Sequence, residues 1–244
     1  MTNVVISQPM FFPWRGFFEQ IALADVYIYL DDAQFSRSSF THRVRIKHGA
    51  ALEWLTVPLA HKGTRVPINL LQAFDPNWRD QHLQQVNQAL AGADHLDAAI
   101  GLMKAAQRHE NLCDVLIAST EATARHLNIG GQRQVLRSSQ MDVTGASWRR
   151  LLDLVKSVGG THYITGHGAA QYLDHDAFES EGVSVSYMDY DLSPYPQGEG
   201  DFAPYVSILD LIARHDQPVE KLRSHIIPWR SFMADRFTGD KDES

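Results

Sequence analysis

The chain has 244 residues, 44% of them hydrophobic, enough apolar surface for one large domain or one with a sizeable insertion. Its formal charge of −7, from 22 basic and 29 acidic residues with no long Lys/Arg run, argues against general nucleic-acid binding. A single cysteine, Cys113, excludes an internal disulfide and a four-thiolate zinc site, and no stretch approaches the ~20 apolar residues of a membrane span.

The chain opens directly on an apolar run with no basic, cleavable leader, which predicts a cytoplasmic protein. Residues 3–8 read as a buried strand, 13–24 as a helix and 26–30 as a second strand ending at Asp31-Asp32, a compact strand–helix–strand unit. The polar segment from Gln34 to His42 reads as a loop over the sheet edge. Alternation over 42–47, a Gly49-Ala50 turn and a partner run over 52–59 predict a β-hairpin. From about 77 to 128 the period changes to 3.6, predicting three helices over 77–91, 95–108 and 111–127, with Cys113 on a buried helix face. Strand 135–139, helix 147–158, strand 162–165, helix 169–181, strand 183–190 and a final core helix over 207–214 restore the alternation. The expected class is α/β: a mostly parallel, Rossmann-like sheet with a β-hairpin and a helical insertion, in a single domain over 1–238. Residues 239–244 read as a disordered polar tail.

In open α/β sheets, ligands bind at the carboxyl ends of strands, so the strand tips carry the candidate site. At the first tip stand Ser7, Gln8 and Pro9, then Phe11, Phe12 and Trp14. Gln8 both donates and accepts hydrogen bonds, while the rings offer flat walls for a base or sugar, or else form core beneath the helix. At the second tip, Asp31 and Asp32 point to opposite sides of an extended chain, so they do not form a paired acid and base. No metal site is expected, since no second carboxylate cluster stands at ligand spacing.

The loop and hairpin carry Gln34, Ser36, Arg37, Ser38, Ser39, Thr41, His42, Arg43, Arg45 and Lys47, suited to an anionic group such as a diphosphate. Arg43, Arg45 and Lys47 share one strand face, which reads equally well as solvated. Around His167, Gly166 and Gly168 let backbone amides approach a ligand, and the imidazole titrates near neutral pH by default. The Pro- and Gly-bounded loop holding Tyr195, Pro196 and Gln197 reads as a lid or a packed connection. The other histidines, His61 among them, lack ligand spacing. With no thiol nucleophile or complete Ser-His-Asp set, a covalent intermediate is not expected.

These residues resemble the WbqC-like protein family. The resemblance is carried by Ser7-Gln8-Pro9, Pro13-Trp14-x-Gly16, Asp31-Asp32-x-Gln34-Phe35-Ser36, Phe40-Thr41-x-Arg43 and Trp54-Leu55-Thr56-Val57-Pro58. It continues through Gly166, Tyr172-Leu173-Asp174, Tyr187 to Tyr190, Tyr195-Pro196-Gln197 and Ser207-Ile208-Leu209-Asp210-Leu211, covering nearly the whole chain. His42 departs from the pattern, which carries an amide residue there. The resemblance implies bacterial O-antigen and lipopolysaccharide biosynthesis, with N-acyl or aminoacyl transfer onto a nucleotide-linked amino sugar. On that implication Asp31, Asp32 or His167 takes a proton from the sugar amine, and Gln8 with the Gly166–Gly168 amides steadies the oxyanion. Trp14 stacks on a ring, Arg43 and Arg45 hold the diphosphate, and Pro9, Gln34, Ser36, Ser39, His42 and Gln197 complete the substrate contacts. The cosubstrate stays open between an acyl donor and ATP, and the oligomeric state stays open too.

A second, local likeness links Phe11-Phe12-Pro13-Trp14-Arg15-Gly16-Phe17 to the phosphate turn of small nucleotidylyltransferases, with Thr165-Gly166-His167 where that fold carries a second triphosphate-contacting segment. The histidines that chemistry needs are absent, notably at Phe17. An ATP-using nucleotidylyl or ligase-like enzyme, or a non-catalytic nucleotide-sugar-binding protein, are the alternative readings.

Overall fold

The computed structural model describes residues 1–37, 39–60 and 65–239. Ser38, His61 and the expected tail beyond Gly239 lie outside them. The elements run β1 (Asn3–Ser7), α1 (Arg15–Ala22), β2 (Val26–Tyr29), β3 (Arg43–His48), β4 (Ala51–Thr56), α2 (Trp78–Ala89), α3 (Leu96–Ala106) and α4 (Leu112–His126). They continue with β5 (Gln134–Arg137), α5 (Ser147–Ser157), β6 (His162–Thr165), α6 (His175–Ser180), β7 (Ser184–Tyr190), α7 (Ile208–Arg214), β8 (Ser224–Pro228) and α8 (Trp229–Gly239).

The main sheet has the order β5-β2-β1-β6-β7-β8, and β3-β4 form a separate antiparallel pair. Every pairing in the main sheet is parallel except β7 with β8. The parallel strands β1, β2, β5, β6 and β7 therefore follow the doubly wound order, in which the chain grows outward on one side of β1 and then resumes on the other. The expected α/β class, hairpin and helical segment are all present.

Strand periodicity sorts the core onto two faces. Val5, Tyr27, Tyr29, Ile164 and Met188 point to the side holding α1, α2–α4, α7 and the inner face of the hairpin. Val4, Ile6, Val26, Ile28, Tyr163, Val185 and Tyr187 point to the side of α5, α6 and α8. Cys113 is buried on α4, where burial pushes its thiol up to about 12.

Several expectations are corrected. The helix expected over 169–181 is a 3-10 turn over 167–171 followed by α6, because the Asp174 carboxylate accepts from the Ala177 amide at 3.0 Å and starts a new helix. The helix over 207–214 is not the last element. β8 closes the sheet edge, and α8 packs Phe232 on Tyr187 with ring centroids 4.1 Å apart. Lys47 does not join Arg43 and Arg45 on an open face. It is buried beneath the loop after β7 and donates to the carbonyls of Gly200 (3.4 Å) and Asp201 (2.7 Å).

Candidate functional site

The strand order reverses direction between β1 and β6, and the ends of these two strands open a cleft of about 620 Å3. Ser7, Gln8 and Met10 enter it from β1 and the turn beyond; Thr165, Gly166 and Gly168 enter from β6 and the 3-10 turn. Ser36 and Ser39 enter from the loop after β2, and Leu30, Leu151, Tyr163 and Tyr172 supply the apolar walls. Gln8, Ser36, Ser39, Gly166 and Gly168, expected as substrate contacts, thus meet in one cavity. Gln8 lines this cleft, and among the described residues its side-chain amide has no hydrogen-bond partner, so its donor and acceptor are both unengaged.

The turn carrying the first wall is held rigidly. Phe12 sits at φ 40°, a left-handed conformation rare outside glycine. Four hydrogen bonds from three segments fix it: the Phe12 amide donates to Ser119 Oγ at 3.1 Å, Ser207 Oγ donates to the Phe12 carbonyl at 2.9 Å, Phe11 N donates to the Thr41 carbonyl at 3.1 Å and Ile208 N to the Pro13 carbonyl at 3.0 Å. Phe11, Phe12 and Pro9 are buried, so of the aromatic residues in this turn only Trp14 remains as cavity wall. Its ring lies over Gly16: a Cβ there would meet three ring carbons at 2.2–2.6 Å. The indole also abuts Tyr190 (4.8 Å) and Tyr205 (5.0 Å).

Trp14 lines a second cavity, of about 310 Å3, with Met10, Pro13, Phe40, Val44 and Tyr205. A third, also about 310 Å3, holds His42 and Arg43 beside Phe35 and Arg37. Burial, with the Arg43 and Arg37 charges adding, drives the His42 imidazole down to about 4, so it is neutral at pH 7. Arg43 and Arg45 both lie over the Trp54 ring, at 4.7 and 5.0 Å.

Other expected site residues are placed elsewhere. Asp31 is buried and accepts from Ser139 N at 2.9 Å and Ser139 Oγ at 2.7 Å, clamping the segment after β5. Asp32 takes a two-pronged Arg150 guanidinium, at 3.0 and 2.5 Å, and Ser138 Oγ at 2.5 Å. Burial alone would raise its pKa, but the Arg150 and Ser138 bonds and the Arg150 charge outweigh it and hold the carboxyl low. Neither carboxylate lines the cleft. Gln34 is exposed and bridges to Pro67. Gln197 uses both ends of its amide on Ala203, at 3.0 and 2.8 Å, to pin its own loop.

His167 is exposed and stands between the two cleft-lining glycines, but like Asp31 and Asp32 it is not itself part of the cleft lining. Its Nε2 lies 2.7 Å from the Met188 carbonyl, which only accepts, so Nε2 carries the proton and Nδ1 the lone pair. Its ring abuts Tyr190 and Phe232. Sequence alone marked Thr165 only through the local likeness to nucleotidylyltransferases and did not place Tyr172 or Tyr205 among the substrate contacts. Proximity to the glycine-bounded turn after β6 was the available signal for Tyr172, and the Pro- and Gly-bounded loop was the signal for Tyr205. Among the described residues no group of three His, Cys, Asp or Glu side chains is placed to hold a metal ion.

The family model described as the WbqC-like protein family matches residues 8–220, a span holding every strand-tip residue above except Ser7. This chain belongs to that family. This WbqC-like chain is also similar to the uncharacterized protein Rv1507c of Mycobacterium tuberculosis, at 30% identity over 219 residues, covering 87% of this chain and 93% of that one. No solved structure gives a significant match. Membership of the WbqC-like family points to polysaccharide biosynthesis. Among the described residues no helix is long and apolar enough to cross a membrane.

Proposed function

We propose that this WbqC-like protein transfers an acyl or aminoacyl group to the amine of a nucleotide-linked amino sugar in bacterial surface-polysaccharide biosynthesis. The observation that carries this reading is the polar cleft at the reversal point of the sheet. There the unengaged Gln8 amide and the glycine-bounded turn line one cavity at the β1–β6 junction. A sugar is dense in hydroxyls and needs such convergent donors and acceptors.

In the proposed step the sugar nitrogen attacks the carbonyl carbon of a thioester donor. A C–N bond forms, the C–S bond breaks, the thiolate leaves, and one amine proton goes to a base. His167 Nδ1 is the base this reading favours, because Asp31 and Asp32 are already engaged by Ser139, Ser138 and Arg150. Gln8 and the backbone of the Gly166–Gly168 turn would steady the oxyanion. Arg43 and Arg45 on the hairpin supply positive charge for the diphosphate.

The test is a screen of nucleotide amino sugars against acyl thioesters, and against ATP with amino acids. The expected result is acylated sugar product, with His167→Ala lowering kcat at least about a hundredfold while nucleotide-sugar binding stays. Full turnover in His167→Ala would remove that residue from the mechanism. Magnesium-dependent pyrophosphate release from ATP would favour the nucleotidylyl or ligase-like reading instead. Tight nucleotide-sugar binding without product under every condition would leave a binding protein.

A further inference from the structure

Beside the polar cleft, Met10, Pro13, Trp14, Phe40, Val44 and Tyr205 enclose the separate apolar cavity, and Met10 lines both spaces. We infer that this cavity is the acyl subsite of the same centre and takes a short apolar chain or a single aromatic ring from the activated donor. The inference rests on the acyl-transfer reading and narrows it, making the transferred group apolar rather than aminoacyl.

The chemistry of the lining decides the occupant. Among the described residues no carboxylate lines the cavity, so the ammonium of an aminoacyl group would meet ring faces but no counter-charge. A nucleobase would bring several edge N–H and C=O groups, and the side chains lining the cavity offer only the Tyr205 hydroxyl and the Trp14 indole N–H to meet them, leaving polar groups unsatisfied. An apolar chain has no such debt and gains from every wall. The volume, about 310 Å3, stands at the lower end of the ~300–1,000 Å3 typical of small-molecule pockets, which excludes a long acyl chain.

The walls are built to stay in place. Trp14 is held between Gly16, Tyr190 and Tyr205, and Val44 is fixed in β3. The Ser207 amide donates to the Arg45 carbonyl at 2.7 Å, tying the loop that carries Tyr205 to the hairpin. Phe40 and Tyr205 remain 49% and 51% exposed at the mouth, apolar surface that a bound chain would cover. With the chain here and the sugar in the cleft, the two reactants meet at the flexible Met10 side chain, which lines both spaces.

Calorimetric titration with N-hexanoylglucosamine tests this. The intact protein should bind it saturably, and glycylglucosamine should not compete. Tyr205→Ala and Phe40→Ala, at half-exposed rings, should each weaken binding about tenfold, with Tm recorded to show that each variant folds. Tyr205→Ala should leave affinity for uridine diphosphate N-acetylglucosamine within about twofold. Val44→Phe, which fills the cavity, should abolish hexanoyl binding, with Tm recorded to show that it folds. Absence of saturable hexanoyl binding, equal binding in both ring variants, or effective competition by the glycyl compound would each overturn the acyl subsite. Hexanoyl binding with no nucleotide-sugar binding would instead defeat the parent reading and leave the apolar site standing.

Discussion

Gly16 shows how one residue without a side chain fixes another that has a large one. The Trp14 indole occupies the space where a Cβ would be, 2.2 Å from the nearest ring carbon, so the ring can lie flat against α1 only because position 16 is bare. Gly16→Ala should therefore push the indole off the helix and out of its contacts with Tyr190 and Tyr205. We expect hexanoyl-sugar affinity to fall at least about tenfold, with a stability loss of only ~1 kcal/mol, read by calorimetry and urea denaturation. The spacing Pro13-Trp14-x-Gly16 was visible in the sequence. That the glycine serves the tryptophan, rather than a turn or a phosphate, was not, because helical φ/ψ at Gly16 gives no signal of a ring folded back over it. Asp31 and Asp32 illustrate the converse. Their position at a strand tip was legible, but their partners Ser138, Ser139 and Arg150 lie over a hundred residues away, and only the partners show that the carboxylates act as clamps.

Among the elements, α1 is unusual in burying every residue from Arg15 to Ile21, including a charged pair one turn apart. Arg15 donates to the carbonyls of Asp191 and Ser193 and faces the Tyr195 ring at 5.7 Å. Burial raises the Glu19 carboxyl to about 7, over the opposing pull of the Arg223 amide and the Arg15 guanidinium; Asp191, which pairs with Arg223 at 3.3 Å, is the other charge nearby. A folded-state pKa above the unfolded value means the native state binds the extra proton between about pH 4.5 and 7. This group's contribution is therefore present at low pH and lost as the pH rises through 7. Glu19→Gln should flatten that part of the stability–pH curve and leave the variant more stable than the parent at pH 8, by the order of 3 kcal/mol, in urea titrations across the range. A variant curve parallel to the parent's would show that Glu19 titrates normally. The helix itself was plain from its apolar period. Its burial on all sides was not, because a Glu and an Arg four apart read as a solvated salt bridge.

The whole molecule depends on closing one side of the sheet. β8 covers the outer edge of β7, and α8 covers Tyr187 and His175 through Phe232 and Trp229. Both lie beyond the family match, which ends at residue 220. A chain ending at residue 223 should bare an aromatic face and an unpaired strand edge, lowering Tm and driving association by light scattering. A monomeric, equally stable truncation would show that the sheet is complete without them. This closing unit escaped sequence analysis because β8 is short, half-exposed and ends in Pro228, so it carries neither strict alternation nor a buried run.

What the amino-acid order determined by itself was the succession of strands and helices. Hydrophobic period is a local property, and an α/β chain that alternates in this way has few topologies open to it. It also marked Gln8, Ser36, Ser39, Gly166 and Gly168, since polar residues and glycines at strand ends stand out against apolar runs. Tertiary structure alone decided which of the marked residues share a cavity. The sheet places β1 beside β6, nearly 160 residues later, and so joins Gln8 to Gly166 while turning Asp32 toward Arg150 and Gln197 back into its own loop. Side-chain partners across such distances follow from strand order and packing, which no window of neighbouring residues contains.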